Sequence, residues 1–415
     1  MIKQSVLQEL LQQQQFQFVK NNKSLKRDLL IEFSSNEADF AYIISGIRRC
    51  GKSTLMHQLI AATSEKSFFI NFDSAKLYNF EIDDFLLLDK FIDESGSKTL
   101  FFDEIQVVKG WELYVRQKLD ENYRVIVTGS NASLLSKELG TKLTGRHISK
   151  ELFPFSYNEF CTFKEIPNTA QTLALYMEIG GFPAYIKTEN PDIHNALLED
   201  IMYRDVAVRH NIRDVQSLKR LLTYMATNIS NLVSASKLTQ ALGIKSSATV
   251  LEYIVFFEQS YLIQLMPKFS YSYKVQLVNP RKIYFIDNGL QAAISGSYNN
   301  DLGRKLENMV FWELRRLQKE LFYYNENAKE CDFVVSKNKK IEQLIQVCYE
   351  LTNENQGREI EGLLDAMNYF ELSVGIILTF NQSDIILRNS KRIDVIPVYE
   401  FFTKPSGWLT EPHTV

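Results

Sequence analysis

The stretch 46-GIRRCGKS-53 decides how this 415-residue chain is read. It matches G-x-x-x-x-G-K-[ST] in full, with an apolar run before it (42-YIIS-45) and a helix-forming stretch after it (54–62). Strand before and helix after is the context that separates a phosphate-binding loop from a chance Gly-Lys-Ser. Gly46 and Gly51 let the backbone curl, so that successive N–H groups through Ile47, Arg48, Arg49, Cys50, Lys52 and Thr54 turn toward one phosphate group. The positive end of the following helix adds to that attraction. Lys52 is suited to the β- and γ-phosphates and the Ser53 hydroxyl to Mg²⁺. No Asn-Lys-x-Asp segment follows, which favours adenine over guanine, so ATP with Mg²⁺ is the expected pair.

A neighbouring strand should then end in an acid. In 98-KTLFFDEIQ-106 an apolar run leads to Asp103, expected to hold Mg²⁺ through water, and Glu104, the expected general base for an attacking water. Adjacent carboxylates repel, and a divalent cation offsets the repulsion. A third segment, 124-RVIVTGSNASLL-135, ends in small polar residues; Ser130 and Asn131 are suited to orienting water or sensing the γ-phosphate. A helix N-cap with Leu134 and Leu135 packed behind it explains the same residues equally well. Arg146, in 144-TGRH-147, is a candidate to supply positive charge to the transferring phosphoryl group, in cis or to a neighbouring subunit, and Arg48 and Arg49 are alternatives. A single arginine is more often a surface ion-pair residue. The histidines His57, His147, His194, His210 and His413 show no ligand spacing.

Outward from the loop, the short apolar runs 41-AYIISG-46, 68-FFINFD-73, 99-TLFFDE-104 and 124-RVIVTGS-130 alternate with helical stretches. Parallel strands covered by helices on both faces have this pattern, so the fold class is α/β around a parallel sheet. Residues 1–155 form this first domain, opening on a helix with Val6, Leu7, Leu10 and Leu11 at helical spacing; the glutamines at 12–15 read as a solvated face. Residues 156–215 read as a helical lid or linker punctuated by 180-GGFP-183. Residues 216–290 fit a winged helix: helices over 218–229, 235–242 and 247–259, with 261-YLIQL-265 and 275-VQLV-278 as the wing hairpin. Residues 291–415 form a C-terminal α/β domain with a helix over 302–320 and strands from 321 onward.

Composition narrows the setting. Hydrophobic residues at 45% and charged residues at 23% suit a globular chain. Forty-seven Lys and Arg against 50 Asp and Glu leave −3, so no global pull toward nucleic acid or an anionic membrane exists. Apolar runs such as 85-FLLL-88 and 374-VGIIL-378 are far short of the roughly 20 residues that cross a bilayer. The first residues lack the apolar core of a signal peptide. Four scattered cysteines (Cys50, Cys161, Cys331, Cys348) argue against both a zinc site and a disulfide framework. A reducing cytoplasm without a membrane partner is the expected home.

Taken together, G-I-R-R-C-G-K-S, F-F-D-E-I-Q, V-T-G-S-N-A-S-L-L, L-T-G-R, L-x-P-F-S-Y-x-E-F (152–160) and G-G-F-P resemble a prokaryotic family of AAA+-like P-loop ATPases. In that family a winged helix and a C-terminal domain of unknown function follow the ATPase core. The resemblance covers residues from about 20 to 400. It implies ATP hydrolysis by a catalytic Glu beside the Mg²⁺-binding Asp, on a sheet with an additional strand. The C-terminal segment is similar to the PD-(D/E)xK restriction-endonuclease-like fold, with Glu307, Asp332 and 345-IQVCYE-350 at the corresponding positions. An active nuclease has acid-x-Lys on that last strand; Gln346, Val347 and Cys348 stand here, so nuclease activity is not expected. Glu307 is then expected to cap its helix or to pair with Arg304 or Arg315.

The reading that follows is an Mg²⁺-dependent ATPase acting as a nucleotide-driven switch, its protein partner unspecified, forming a homo-oligomer if Arg146 acts on a neighbour. The rival reading is an ATP-regulated DNA-binding regulator with little turnover. Its DNA contacts would come from Lys245, at the start of the segment that carries the third helix, and from Lys268 and Lys274 in the wing. The apolar remainder of 245-KSSATVLEYIVFFEQ-259 suits protein packing as well as it suits DNA.

Overall fold

The computed structural model describes residues 2–20, 24–33, 39–130, 143, 145–296, 301–317 and 320–404. The chain divides into two compact units, Met1–Phe153 with Gln259–Tyr261, and Pro154–Glu258 with Leu262–Val415.

The first unit is built on a five-stranded parallel sheet. Strands β1 (Ala41–Ser45), β2 (Ser67–Asn71), β3 (Thr99–Asp103), β4 (Arg124–Gly129) and β5 (His147–Glu151) lie in the order β2-β3-β4-β1-β5. All neighbours run parallel. The extra strand, β4, therefore lies between β1 and β3. Every residue of β1 and of β3 is buried, as helical cover on both faces requires. Phe102, at the centre of the sheet, packs against Phe72 and Tyr114 in a core that also takes Leu7, Leu10 and Leu11 from the first helix, Gln4–Lys20. One expectation for that helix needs correction. Gln14 is buried rather than solvated: its amide donates to the Asn71 carbonyl at 3.1 Å and accepts from the Asn71 N–H at 3.0 Å. A side-chain amide carries the same donor and acceptor as a peptide, and here it pairs with the free edge of β2 as a further strand would.

In the second unit, Ser156 and Glu159 cap the helix Tyr157–Lys164 reciprocally, which explains the S-x-x-E of the 152–160 segment. The 180-GGFP-183 turn is also structural. Gly181 N–H donates to the buried Asp287 carboxylate at 2.6 Å, and a Cβ on Gly181 would run into the Phe155 carbonyl. The same carboxylate accepts from Leu290 N–H and so caps the helix Asn288–Ser295; burial lifts its pKa to about 6.

Helices Val215–Thr227, Ala235–Leu242 and Ser247–Gln259 match the three expected there. The small antiparallel sheet beside them is β6 (Leu232–Val233), β8 (Arg281–Phe285) and β7 (Ile263–Met266), in the order β6-β8-β7. The expected second wing strand at 275–278 is instead part of a short helix, Tyr273–Val278. The side chains of Val275, Leu277 and Val278 are exposed, whereas Ile283, Tyr284 and Phe285 are fully buried. Burial selects the later run as the strand, and the helix ends before Asn279-Pro280.

A six-stranded mixed sheet completes the unit: β9 (Glu320–Glu326), β10 (Lys329–Lys337), β11 (Lys340–Val347), β12 (Val374–Thr379), β13 (Asp384–Arg388) and β14 (Lys391–Pro397). Their order is β13-β14-β12-β11-β10-β9. The helix expected over 302–320 is Leu302–Leu317. No helix among the described residues is long and apolar enough to cross a membrane.

Because Phe102 fills the centre of the first sheet, Phe102→Ala is expected to cost about 3–5 kcal/mol. Urea unfolding followed by tryptophan fluorescence should show a lower midpoint for the variant.

Candidate functional site

Parallel strands carry their adjoining loops at their carboxyl ends, and the crevice beyond those ends is where open α/β sheets bind ligands. The carboxyl ends of β1, β3 and β4 meet there. The 46–53 loop leaves β1 and turns into the helix Lys52–Ala62, with Gly51 at φ 106° as its N-cap and Arg49 at φ 63°. A Cβ on Gly46 would collide with the Leu152 carbonyl, so the curl needs glycine at this point.

The loop is braced from behind by a residue that sequence reasoning missed. Arg27, itself buried, donates to the carbonyls of Cys50 and Phe153, each at 2.7 Å. Its backbone N–H is held by Gln58 at 3.2 Å, on the helix that follows the loop. A lone arginine in 24-SLKRD-28 carries no motif, so nothing in the sequence could have singled it out. Cys50 is buried behind the loop with its thiol on the Leu152 carbonyl, and burial pushes the thiol pKa up.

Lys52 is only 4% exposed. Its ammonium donates to the carbonyls of Gly46 (3.1 Å) and Ile47 (3.2 Å) and lies 3.6 Å from the Glu104 carboxylate. Burial works to lower its pKa, but Glu104, Cys50 and Asp103 outweigh that and raise it, so Lys52 is charged. Burial works to raise the Glu104 pKa; Lys52, the Gln106 amide, Arg48 and Ser130 together hold it below the usual range. Glu104 is therefore ionised, and Gln106 donates to it directly.

Asp103 responds in the opposite direction. Burial and the Glu104 charge raise its pKa, against the opposing pull of Thr128, Ser53 and Lys52. Its Oδ1 accepts from the Thr128 hydroxyl, while its buried Oδ2 has no hydrogen-bond partner. The Thr128 hydroxyl also accepts from Glu104 N–H at 2.9 Å, so one β4 side chain aligns both acids. Thr128 was the second omission. It follows the apolar run Val125, Ile126 and Val127, and a hydroxyl buried at such a strand end needs polar partners.

The structure thus brings together Gly46, Lys52, Ser53, Asp103, Glu104 and Ser130. Asn131 lies outside the described residues. Arg48 is half-buried near Lys52 and Glu104, and Arg49 is exposed. Arg146 is not brought to the loop of its own chain, which corrects the in-cis expectation. It precedes β5 at the amino end of the sheet, where its guanidinium binds Asp120 at 2.5 Å and the Asp39 carbonyl at 3.2 Å. A five-residue strand, roughly 16 Å at 3.3 Å per residue, separates that end from the loop.

The donor set fits a divalent cation that a phosphate helps to hold. An orphaned carboxylate oxygen and a hydroxyl face the end of the loop, and a cation would relieve the repulsion that raises Asp103. No group of three or more His, Cys, Asp or Glu able to hold a metal unaided occurs among the described residues.

Comparison with known proteins agrees with this geometry. A family profile described as an AAA domain matches residues 38–161, and one described as a domain of unknown function (DUF8612) matches residues 170–301. The Methanocaldococcus jannaschii protein "Uncharacterized protein MJ1544" is 32% identical, the alignment spanning 97% of this chain and 96% of the relative. A Haemophilus influenzae protein described only as "Uncharacterized protein" is 31% identical over 78% of this chain and 85% of its own length. Among solved structures, a Thermotoga maritima RuvB mutant aligns at 16% identity and a TM-score of 0.30, over 64% of this chain and 91% of that one. Cdc6p from Pyrobaculum aerophilum aligns at 14% identity and 0.26, over 68% and 92%. Structural matches this loose carry no argument.

Two outcomes follow for the site. Arg27→Ala strands two buried carbonyls and should cost about 2–4 kcal/mol in thermal or urea unfolding, with Arg27→Lys recovering only part because an ammonium lacks the fork geometry. Asp103→Asn should stabilise the ligand-free protein at pH 7, since it removes a buried charge whose folded pKa is raised. The penalty in the wild type is full above that raised pKa and vanishes as the pH falls to the ordinary carboxylate range. Unfolding curves of the two proteins should therefore converge in acid.

Proposed function

We propose, from the premise that this chain belongs to one family with the Methanocaldococcus jannaschii relative and carries an AAA domain over residues 38–161, that it binds ATP with Mg²⁺ and hydrolyses it as a nucleotide-driven switch. The observation that carries this reading is the meeting of Lys52, Asp103, Glu104 and Thr128 at one sheet edge beside a curled, braced loop.

The loop amides and the helix N-terminus hold the phosphates, and Lys52 exchanges its loop carbonyls for β- and γ-phosphate oxygens. Ser53 and Asp103 hold Mg²⁺, which when bound neutralises phosphate charge. Glu104, kept ionised by its neighbours, accepts a proton from the attacking water. Thr128 fixes the direction of both carboxylates, and Ser130, just past the end of β4, senses the γ-phosphate together with Asn131. Arg146 acts on a neighbouring copy in this reading.

Residues 216–290 act as a winged helix in this reading, on the element order helix, strand, helix, helix, strand, short helix, strand. Its third helix argues for protein packing rather than DNA reading. Within the helix the exposed positions Ala248, Leu251 (54%), Glu252 and Val255 (44%) offer no donor for base edges; Lys268 is engaged with Glu326 at 2.8 Å, whereas Lys245, just before the helix, and Lys274 are exposed. Residues 291–415 act as a non-cleaving nuclease-like domain, in a cytoplasmic protein.

Steady-state phosphate release tests the assignment. Glu104→Gln should retain ATP binding while hydrolysis falls about 10²–10⁴-fold. Lys52→Ala should lose both, and a chelator should abolish the wild-type rate. A wild-type rate unchanged in Lys52→Ala would discard the reading.

A further inference from the structure

The second unit contains a charged cluster with no part in the nucleotide reading. Lys282, on β8, is only 4% exposed and ends among three carboxylates: Glu330 at 2.6 Å, Asp332 at 2.7 Å and Glu307 at 3.1 Å. These acids come from the helix Leu302–Leu317 and from β10, and with Gln346 and Glu359 they line a cleft of about 400 Å³. Glu307 therefore pairs with Lys282 and with the Tyr284 hydroxyl (2.7 Å), which corrects the expected pairing with Arg304 or Arg315. Arg304 binds Asp301, and Arg315 binds Gln264.

An ammonium has three N–H donors and no acceptor, and at Lys282 each donor has a carboxylate within reach. None is left over for a substrate. Taking an ammonium out of water costs several kcal/mol, which only such surroundings offset. The acids need the cation equally: burial works against the charged forms of Glu307 and Asp332, and the Lys282 ammonium opposes it at both. A Ca²⁺ or Mn²⁺ ion held by these oxygens would sit at roughly 2.1–2.6 Å from them, at the point the ammonium fills. The two cations would compete for the same oxygens and repel each other.

We propose that the Lys282 ammonium is the resident cation of this cleft, standing between Glu307, Glu330 and Asp332 where a divalent ion would otherwise bind, so that the wild-type cleft recruits none. The carboxylates are then a latent metal site kept closed by the chain's own side chain. This is independent of the nucleotide reading and survives its failure.

Mn²⁺ titration of the full chain, with free ion read by electron paramagnetic resonance, tests it. All proteins carry Asp103→Asn, to silence the acid pair of the first unit. Lys282→Ala should bind one Mn²⁺ at least tenfold more tightly than the protein that keeps Lys282, and adding Asp332→Asn should remove the gain. Two results would overturn the proposal: Mn²⁺ binding that depends on Asp332 while Lys282 is present, or a folded Lys282→Ala protein with no gain. Should Lys282→Ala not fold in the absence of metal, Mn²⁺ added during refolding should restore cooperative unfolding. Failure of that rescue also overturns it.

Discussion

A buried ammonium at the end of a parallel sheet sets the terms for the first unit. Lys52 cannot stay charged under cover unless anions and carbonyls surround it, and the 46–53 loop supplies two carbonyls while β3 supplies Glu104. For that to work the loop must curl. The curl depends on Gly46 closing against Leu152 and on Arg27 holding the Cys50 carbonyl. The same field divides the two adjacent acids. Glu104, beside Lys52, is held ionised, whereas Asp103, deeper and beside Glu104, is pushed toward its neutral form. Neighbouring residues in the chain thus acquire different chemistry from their surroundings alone.

The second unit meets a similar electrostatic problem with a different outcome. Three carboxylates converge on Lys282, and the ammonium is saturated. At Lys52 the partners are mostly neutral carbonyls, which a phosphate can replace because it brings more charge than they do. At Lys282 the partners are already anionic, so an incoming anion gains nothing by exchange. A lysine poised to bind and a lysine committed to structure differ here in what their three protons touch.

Much of the first unit was legible because its signals are local. The strand runs, the loop pattern and the Asp-Glu pair each lie within one short segment, and each segment folds into the element that its period and glycines imply. The wing was misread for a related reason. The run 275-VQLV-278 is apolar enough for a strand, but choosing between it and 282-KIYF-285 depends on which run finds partners, and β6 and β7 pair with the second. The buried Gln14 was equally out of reach, since only the neighbouring edge of β2 turns a polar helix residue into a core one.

By itself the sequence determined the parallel α/β core, the phosphate-binding loop and the acids that belong with it, because spacing along the chain dictates those features directly. Tertiary structure alone decided that Arg27 braces the loop, that Thr128 aligns both acids, that Arg146 lies at the far end of the sheet, and that Lys282 meets Glu307, Glu330 and Asp332. Those residues are 23 to 126 positions from their partners, or on strands whose order does not follow the chain. Hydrogen bonds and charges act over a few ångströms of space, and sequence distance carries no record of it.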